Sequence, residues 1–192
     1  MENQIYKPRI YRHYGHRHFD ASLIKPMMRR EYDSWCNFLK PPPHCGLWGS
    51  PITSSDDWFG WCERNDFREY DPEDFFDFEV WGNIFKVSSL ASAMELVNNY
   101  FDPSPLLMNP FTKAMIETDK ISEIREAVWS GEISRMFCML YRIDFIKMQN
   151  AGYAGMEISI TDWPAAYNLC YGWDCDSVVV WDKTAIREVK RL

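Results

Sequence analysis

The chain has 192 residues, with 46% hydrophobic, 16% aromatic and 26% charged positions. These are values of a globular chain long enough for one core, and they exclude a disordered segment. The longest apolar run, Met136 to Tyr141, is far too short to span a bilayer.

The first twenty residues carry Lys7, Arg9, Arg12 and Arg17 without an apolar stretch, so no secretory leader is expected. The setting expected from this is cytoplasmic, with no membrane partner. Six cysteines without any C-x-x-C pair read as reduced thiols and not as a disulfide framework. The net charge of -7 is unevenly spread. Residues 1–45 hold eight Lys and Arg against four acids, together with all four histidines; residues 56–79 hold ten acids against Arg64 and Arg68. A basic entry segment facing an acidic one predicts either an anion site or two faces that neutralise each other on folding.

In chain order, Ile10 to Tyr14 reads as a strand stopped by Gly15. Pro26 and Pro41-Pro42-Pro43 keep residues 19–45 irregular. Gly46 to Pro51 reads as a second short strand. Ser54-Ser55-Asp56-Asp57 is a helix start, predicting a helix to about Arg64 with Trp58, Trp61 and Cys62 on one face. Asp74 to Val80 alternates, setting Phe76, Phe78 and Val80 on the inner side, and Ile84 to Val87 follows a Trp-Gly-Asn turn. Ser88 or Ser89 caps a helix through Asn99 whose inner face is predicted as Leu90, Met94 and Val97. A further helix is predicted over 123–129, and a short one after Asp144. Strands are predicted at Tyr153–Ile160 and Asp176–Trp181, with a final strand or turn at Thr184–Val189. Strands at both ends with helices between them predict a single α+β domain over residues 1–192. No Gly-rich phosphate loop is present.

The densest chemical signal is His13-Tyr14-Gly15-His16-Arg17-His18. A metal site completed by His44 and Cys45 is one reading, but neither a carboxylate nor a paired-cysteine spacing supports it, and no metal is expected. A cation rim for phosphates is another. Cys45 and Cys175 are nucleophile candidates without an evident His–acid partner set.

His13-Tyr14-Gly15 closing one strand, Gly46-Leu47-Trp48-Gly49-Ser50-Pro51 forming the next, and Tyr171-Gly172-Trp173-Asp174-Cys175-Asp176-Ser177 entering a late strand together resemble ADP-ribosyltransferase-like proteins, especially small bacterial and phage members. The resemblance implies a split β-sheet fold with helices inserted between strands. It implies NAD as the substrate, held by His13, Tyr14, Gly15, Trp48 and Ser50: His13 on a ribose hydroxyl, the Gly15 backbone near the nicotinamide amide, Trp48 as π face, Ser50 as a hydroxyl contact. The carboxylate it implies is Asp176, with Asp174 second and Glu157 on the preceding strand as a competitor; His13 completes the catalytic set. The implied activity is mono-ADP-ribosyl transfer to a macromolecule (RNA, single-stranded DNA or protein) in a toxin-like or phage–host conflict. A neutralising antitoxin protein would be a partner, with the acidic 66–79 segment as a docking surface. Alternatives are a non-catalytic nucleotide-binding module on the same fold, an RNA-processing phosphotransferase using Arg12, Arg17 and His16, and a protein-interaction module. Read as structure alone, His13 is a satisfied strand histidine, Trp48 core and Asp176 a turn cap.

Overall fold

In a computed structural model the described residues are 9–29, 39–102, 142–170 and 172–189. They form an α+β arrangement around a mostly antiparallel, open seven-stranded sheet. Its strands are β1 (Arg9–Tyr14), β2 (Leu47–Pro51), β3 (Phe75–Val80), β4 (Asn83–Val87), β7 (Tyr153–Ile158), β8 (Ser177–Val180) and β9 (Ile186–Val189). A separate two-stranded ribbon joins β5 (Phe101–Asp102) to β6 (Arg142–Ile143). The helices are α1 (Trp58–Asn65), α2 (Leu90–Tyr100), α3 (Phe145–Asn150) and the single turn α4 (Ala166–Leu169). The order across the large sheet is β4-β7-β8-β2-β1-β3-β9, with only β4 and β7 parallel.

The first strand is therefore central, paired on both sides, although it lies near the start of the chain. Its register explains its contacts. Tyr11 lies opposite Phe78, Arg12 opposite Asp77 and His13 opposite Phe76. Arg12 accordingly makes a bidentate pair with Asp77 at 2.7 and 3.0 Å. Arg17 reaches Asp74 and Asp71. The basic and acidic segments thus meet and partly neutralise each other.

One sheet face is covered by helices. Ala93, Leu96, Val97 and Tyr100 of α2 and Phe145 and Met148 of α3 pack on Phe85, Val87, Met156, Ile158 and Val179. The expected inner stripe of α2 is corrected here: Leu90 and Met94 are exposed, and the helix seats itself through Ala93. The i, i+3, i+4, i+7 spacing from Ala93 is as regular as the expected one, and the small residue lets the helix axis approach the sheet.

The other face is concave. Tyr11, Phe76, Phe78 and Val80 from one half of the sheet meet Val178, Val180 and Ala154 from the other half. Each buried Val and Phe side chain among them contributes about 1.5–3 kcal/mol. The helix expected over 123–129 lies outside the described residues.

Candidate functional site

A cleft of about 560 Å³ opens where β1 ends beside β2 and the start of β8. Its lining includes His13, Tyr14 and Gly15 from the first strand, Trp48 and Ser50 from the second, and Asp174 before β8. The three sequence blocks far apart along the chain therefore face one crevice. A pocket of this size, with aromatic walls and a few convergent polar groups, has the dimensions of a small-molecule site.

The backbone builds this corner in two steps. Gly15 has a φ of +100° and donates its amide to the Asp74 carbonyl at 2.7 Å, so the chain turns sharply out of β1. A side chain there would be strained. The turn folds His16 back on His13. On β2, Gly49 leaves room for its neighbours: a Cβ would meet the Phe78 ring at 2.8 Å and the Arg12 carbonyl at 3.0 Å.

His13 is half-buried against Phe76, with ring centroids 5.1 Å apart. Its Nδ1 lies 2.7 Å from the Trp48 carbonyl oxygen. A carbonyl only accepts, so Nδ1 carries the proton and donates. Burial pushes the imidazole below its ordinary range, outweighing the Trp48 bond and Asp74. In the neutral ring Nε2 is then a lone pair, and it lies 2.9 Å from Nδ1 of His16. That nitrogen of His16 must be the donor, so both ring nitrogens of His13 have partners within the chain and the expected hydrogen bond from His13 to a ribose hydroxyl is not made in this arrangement.

Trp48 is half-buried beside Trp173, with centroids 4.8 Å apart, and the Lys40 ammonium lies 5.3 Å from its ring centre. Tyr14 donates to Asp57 at 2.6 Å, and Asp57 in turn caps α1 through the Gly60 amide. Burial, followed by the Asp57 bond, pushes the Tyr14 phenol up. Ser50 is nearly fully buried and its Oγ accepts from the Trp58 amide at 3.0 Å. Its hydroxyl therefore fastens the start of α1 as well as lining the cleft.

The carboxylates depart from expectation. Asp176 is not among the lining residues. It is buried, accepting from Ser54 Oγ at 2.7 Å and from the Thr161 amide at 2.8 Å, and so staples two loops to the entry of β8. Glu157 is not among them either. It accepts from Tyr11 Oη at 2.7 Å and from Arg9 at 2.9 and 3.0 Å, with Lys86 at 3.5 Å. Both acids are consumed by internal partners. Asp174, by contrast, lines the cleft and takes no hydrogen bond from a described residue. Burial pushes its carboxyl up, while Lys40 pulls it down.

Trp58, expected only to share a helix face with Trp61 and Cys62, lines the cleft, stacked on Trp61 at 5.2 Å and donating to Tyr70 Oη at 2.9 Å. Lys40, Arg68 and Tyr70 were also missed. No periodic signal marks them, since all three lie outside the helices and strands. His18 leaves the histidine cluster to reach Glu188 on β9, which dissolves the contiguous motif as a ligand set. The Cys175 thiol is buried against Ser177 and pushed up to about 12 by desolvation, the state of an inert thiol and not of a nucleophile.

Compared with protein-family models, with curated proteins and with solved structures, the chain matches none of them.

Proposed function

We propose that this cleft binds NAD and that the protein transfers the ADP-ribose moiety to a macromolecular acceptor, on a split-sheet fold of the ADP-ribosyltransferase kind. The observation that carries the reading is the convergence of His13, Gly15 and Trp48 on one crevice with Asp174, a carboxylate that accepts no hydrogen bond from a described residue. Cleaving the bond between ribose C1′ and the nicotinamide nitrogen sends the bonding pair to nicotinamide and leaves positive charge on the ribose. A carboxylate free of internal donors is the group that can oppose that charge. Among the described residues Asp174 has no such donor, whereas Asp176 and Glu157 do.

Trp48, Tyr14 and Tyr70 offer flat faces for the nicotinamide and adenine rings. Lys40 and Arg68 offer cations for the diphosphate, and the acids Glu69, Asp71 and Asp74 limit the field to a mixed one. Mixed charge suits a ligand that carries a cationic ring and two phosphates. A toxin-like role with a neutralising antitoxin is the setting in which such an activity on RNA, single-stranded DNA or protein would operate. Of the acidic 66–79 segment expected as a docking surface, residues 66–69 are exposed and available for that partner, whereas the part from Phe75 onward is β3, paired on both sides within the sheet. Among the described residues no helix is long and apolar enough to cross a membrane.

Incubation with labelled NAD and a cell lysate tests the reading. Transferred label with released nicotinamide is the expected result; neither product overturns it. The second reading, a nucleotide-binding module without turnover, is favoured by the internal use of both Asp176 and Glu157. Calorimetric binding with NAD recovered intact after long incubation would select it.

A further inference from the structure

The two histidines of the cleft have a geometry that the transferase reading does not by itself require. Their ring centroids are 5.1 Å apart with planes only 19° from parallel, while His13 Nε2 and His16 Nδ1 are 2.9 Å apart. Rings that close at one nitrogen pair yet with centres this distant lie edge to edge, as an N–H···N bond demands, and are not face-stacked. The direction of that bond is fixed from its far end. The Trp48 carbonyl forces the proton of His13 onto Nδ1. His13 Nε2 is then an acceptor, so His16 carries its proton on Nδ1. One nitrogen remains: Nε2 of the exposed His16 is left with its lone pair, on a residue that lines the cleft.

We propose that His16 is a general base that deprotonates a hydroxyl acceptor, held in tautomer and orientation by the chain His16–His13–Trp48 carbonyl. The proposal rests on the transferase reading of this cleft and names the acceptor class for it. A base oriented by a second group, itself oriented by a third, is the arrangement that activates weak nucleophiles. Imidazole is suited to this work near neutral pH.

In the step, the acceptor oxygen forms a bond to ribose C1′. The C1′–nitrogen bond breaks with its electron pair going to nicotinamide, and the hydroxyl proton moves to Nε2 of His16. The resulting imidazolium donates through Nδ1 to the neutral His13, and its proton is then released to solvent. NAD and an alcohol become an ADP-riboside, nicotinamide and one proton. A carboxylate acceptor would need no base, and a guanidinium holds its proton beyond the reach of imidazole. The arrangement therefore selects hydroxyls, whether of a side chain or of a ribose. His13 is a positioning residue.

The test uses the full chain labelled with ¹⁵N-histidine, and methanol as the hydroxyl probe. Long-range N–H correlation spectra should show both His13 and His16 protonated at Nδ1, against the Nε2 preference of free imidazole in water. In His13→Ala, His16 should return to the Nε2–H form, a change that a merely packing role for His13 would not produce. With NAD, His16→Gln should form methyl ADP-riboside on the order of 10²-fold more slowly than the parent chain. An Nε2–H tautomer at either ring in the parent chain overturns the relay. Parent-like transfer by His16→Gln overturns the base while leaving the transferase reading standing. A parent chain that releases no nicotinamide overturns both.

Discussion

Tyr11 donates its hydroxyl to Glu157 at 2.7 Å although β2 and β8 lie between their strands. In a flat sheet three strand spacings would hold the two backbones about 14 Å apart, with side chains standing parallel and unable to meet. The bond is therefore a measure of how far the sheet curls on its concave face. Burial, followed by the neighbouring carboxylate, pushes the Tyr11 phenol far up, which favours its role as donor to Glu157. Tyr11→Phe removes a donor from a buried carboxylate. It should lower stability by about 1–3 kcal/mol in urea unfolding. An unchanged midpoint would mean that the bond does not hold the curl. Glu157→Ala should likewise act on stability.

Asp174 and Asp176, two residues apart, should part company on substitution. Asp176→Ala strips acceptors from Ser54 Oγ and the Thr161 amide and should cost about 1–3 kcal/mol in thermal or urea unfolding. Asp174 behaves in the opposite sense. An acid pushed up in the folded state binds its proton more tightly there. Its contribution is thus favourable only in acid and is lost as pH rises from the ordinary 3.8 through the raised value. At neutral pH the ionised group is a standing cost, so Asp174→Asn should raise the melting temperature at pH 7. On the proposed reading it should also slow nicotinamide release on the order of 10²–10³-fold. A variant that melts lower and turns over normally would assign Asp174 to structure.

Period-two alternation made Phe76, Phe78 and Val80 legible as an inner face, and Gly15 marked the end of β1. The start of α1 at the Ser54-Ser55-Asp56-Asp57 run, where Asp57 proves to be the cap, and the Asp144 cap of α3 were legible for the same reason: they depend on residues within one turn. The state of the carboxylates was not. Whether Asp176 or Asp174 faces the cleft is decided by Ser54 and Thr161, which approach from elsewhere in the chain. Nothing within a few residues of either aspartate encodes those donors. The α2 face was misread because two stripes offset by one position are equally periodic, and only the sheet beneath chooses between them. Lys40 and Tyr70 were invisible as site residues because loops carry no period.

His13 gives a pH dependence with a defined sign. Its imidazole is pushed below the ordinary 6.5 chiefly by burial, with His16 adding to the effect and the Trp48 carbonyl and Asp74 opposing it. The unfolded chain therefore binds the proton more readily. The stability this site contributes is whole above about pH 6.5 and is lost as pH falls through the lowered value. Melting temperatures taken from pH 8 downward should fall less steeply below about pH 6.5 in His13→Gln than in the parent chain. The slope is the readout, since the variant's melting temperature at pH 8 also reflects its lost hydrogen bonds. Parallel slopes would show that His13 titrates normally in the folded protein.

Gly49 sits where the curl of the sheet and the floor of the cleft meet. Phe78 reaches over β1 from the concave side, and a Cβ at residue 49 would lie 2.8 Å from two of its ring carbons and 3.0 Å from the Arg12 carbonyl oxygen. The ring is fully buried against Tyr11, whose centroid lies 5.7 Å away, so it has no free direction in which to retreat. The Arg12 carbonyl belongs to a central strand paired on both sides and is fixed as well. Gly49→Ala should therefore destabilise by about 1–3 kcal/mol through overpacking. Shrinking the ring should relieve the clash. In the double variant Gly49→Ala with Phe78→Leu, the loss should be smaller than the sum of the two single losses, a coupling that urea titrations of the four proteins would measure directly. Strict additivity would place the strain at the Arg12 carbonyl instead, and the variant would then be expected to shift β2 away from β1 at the mouth of the cleft.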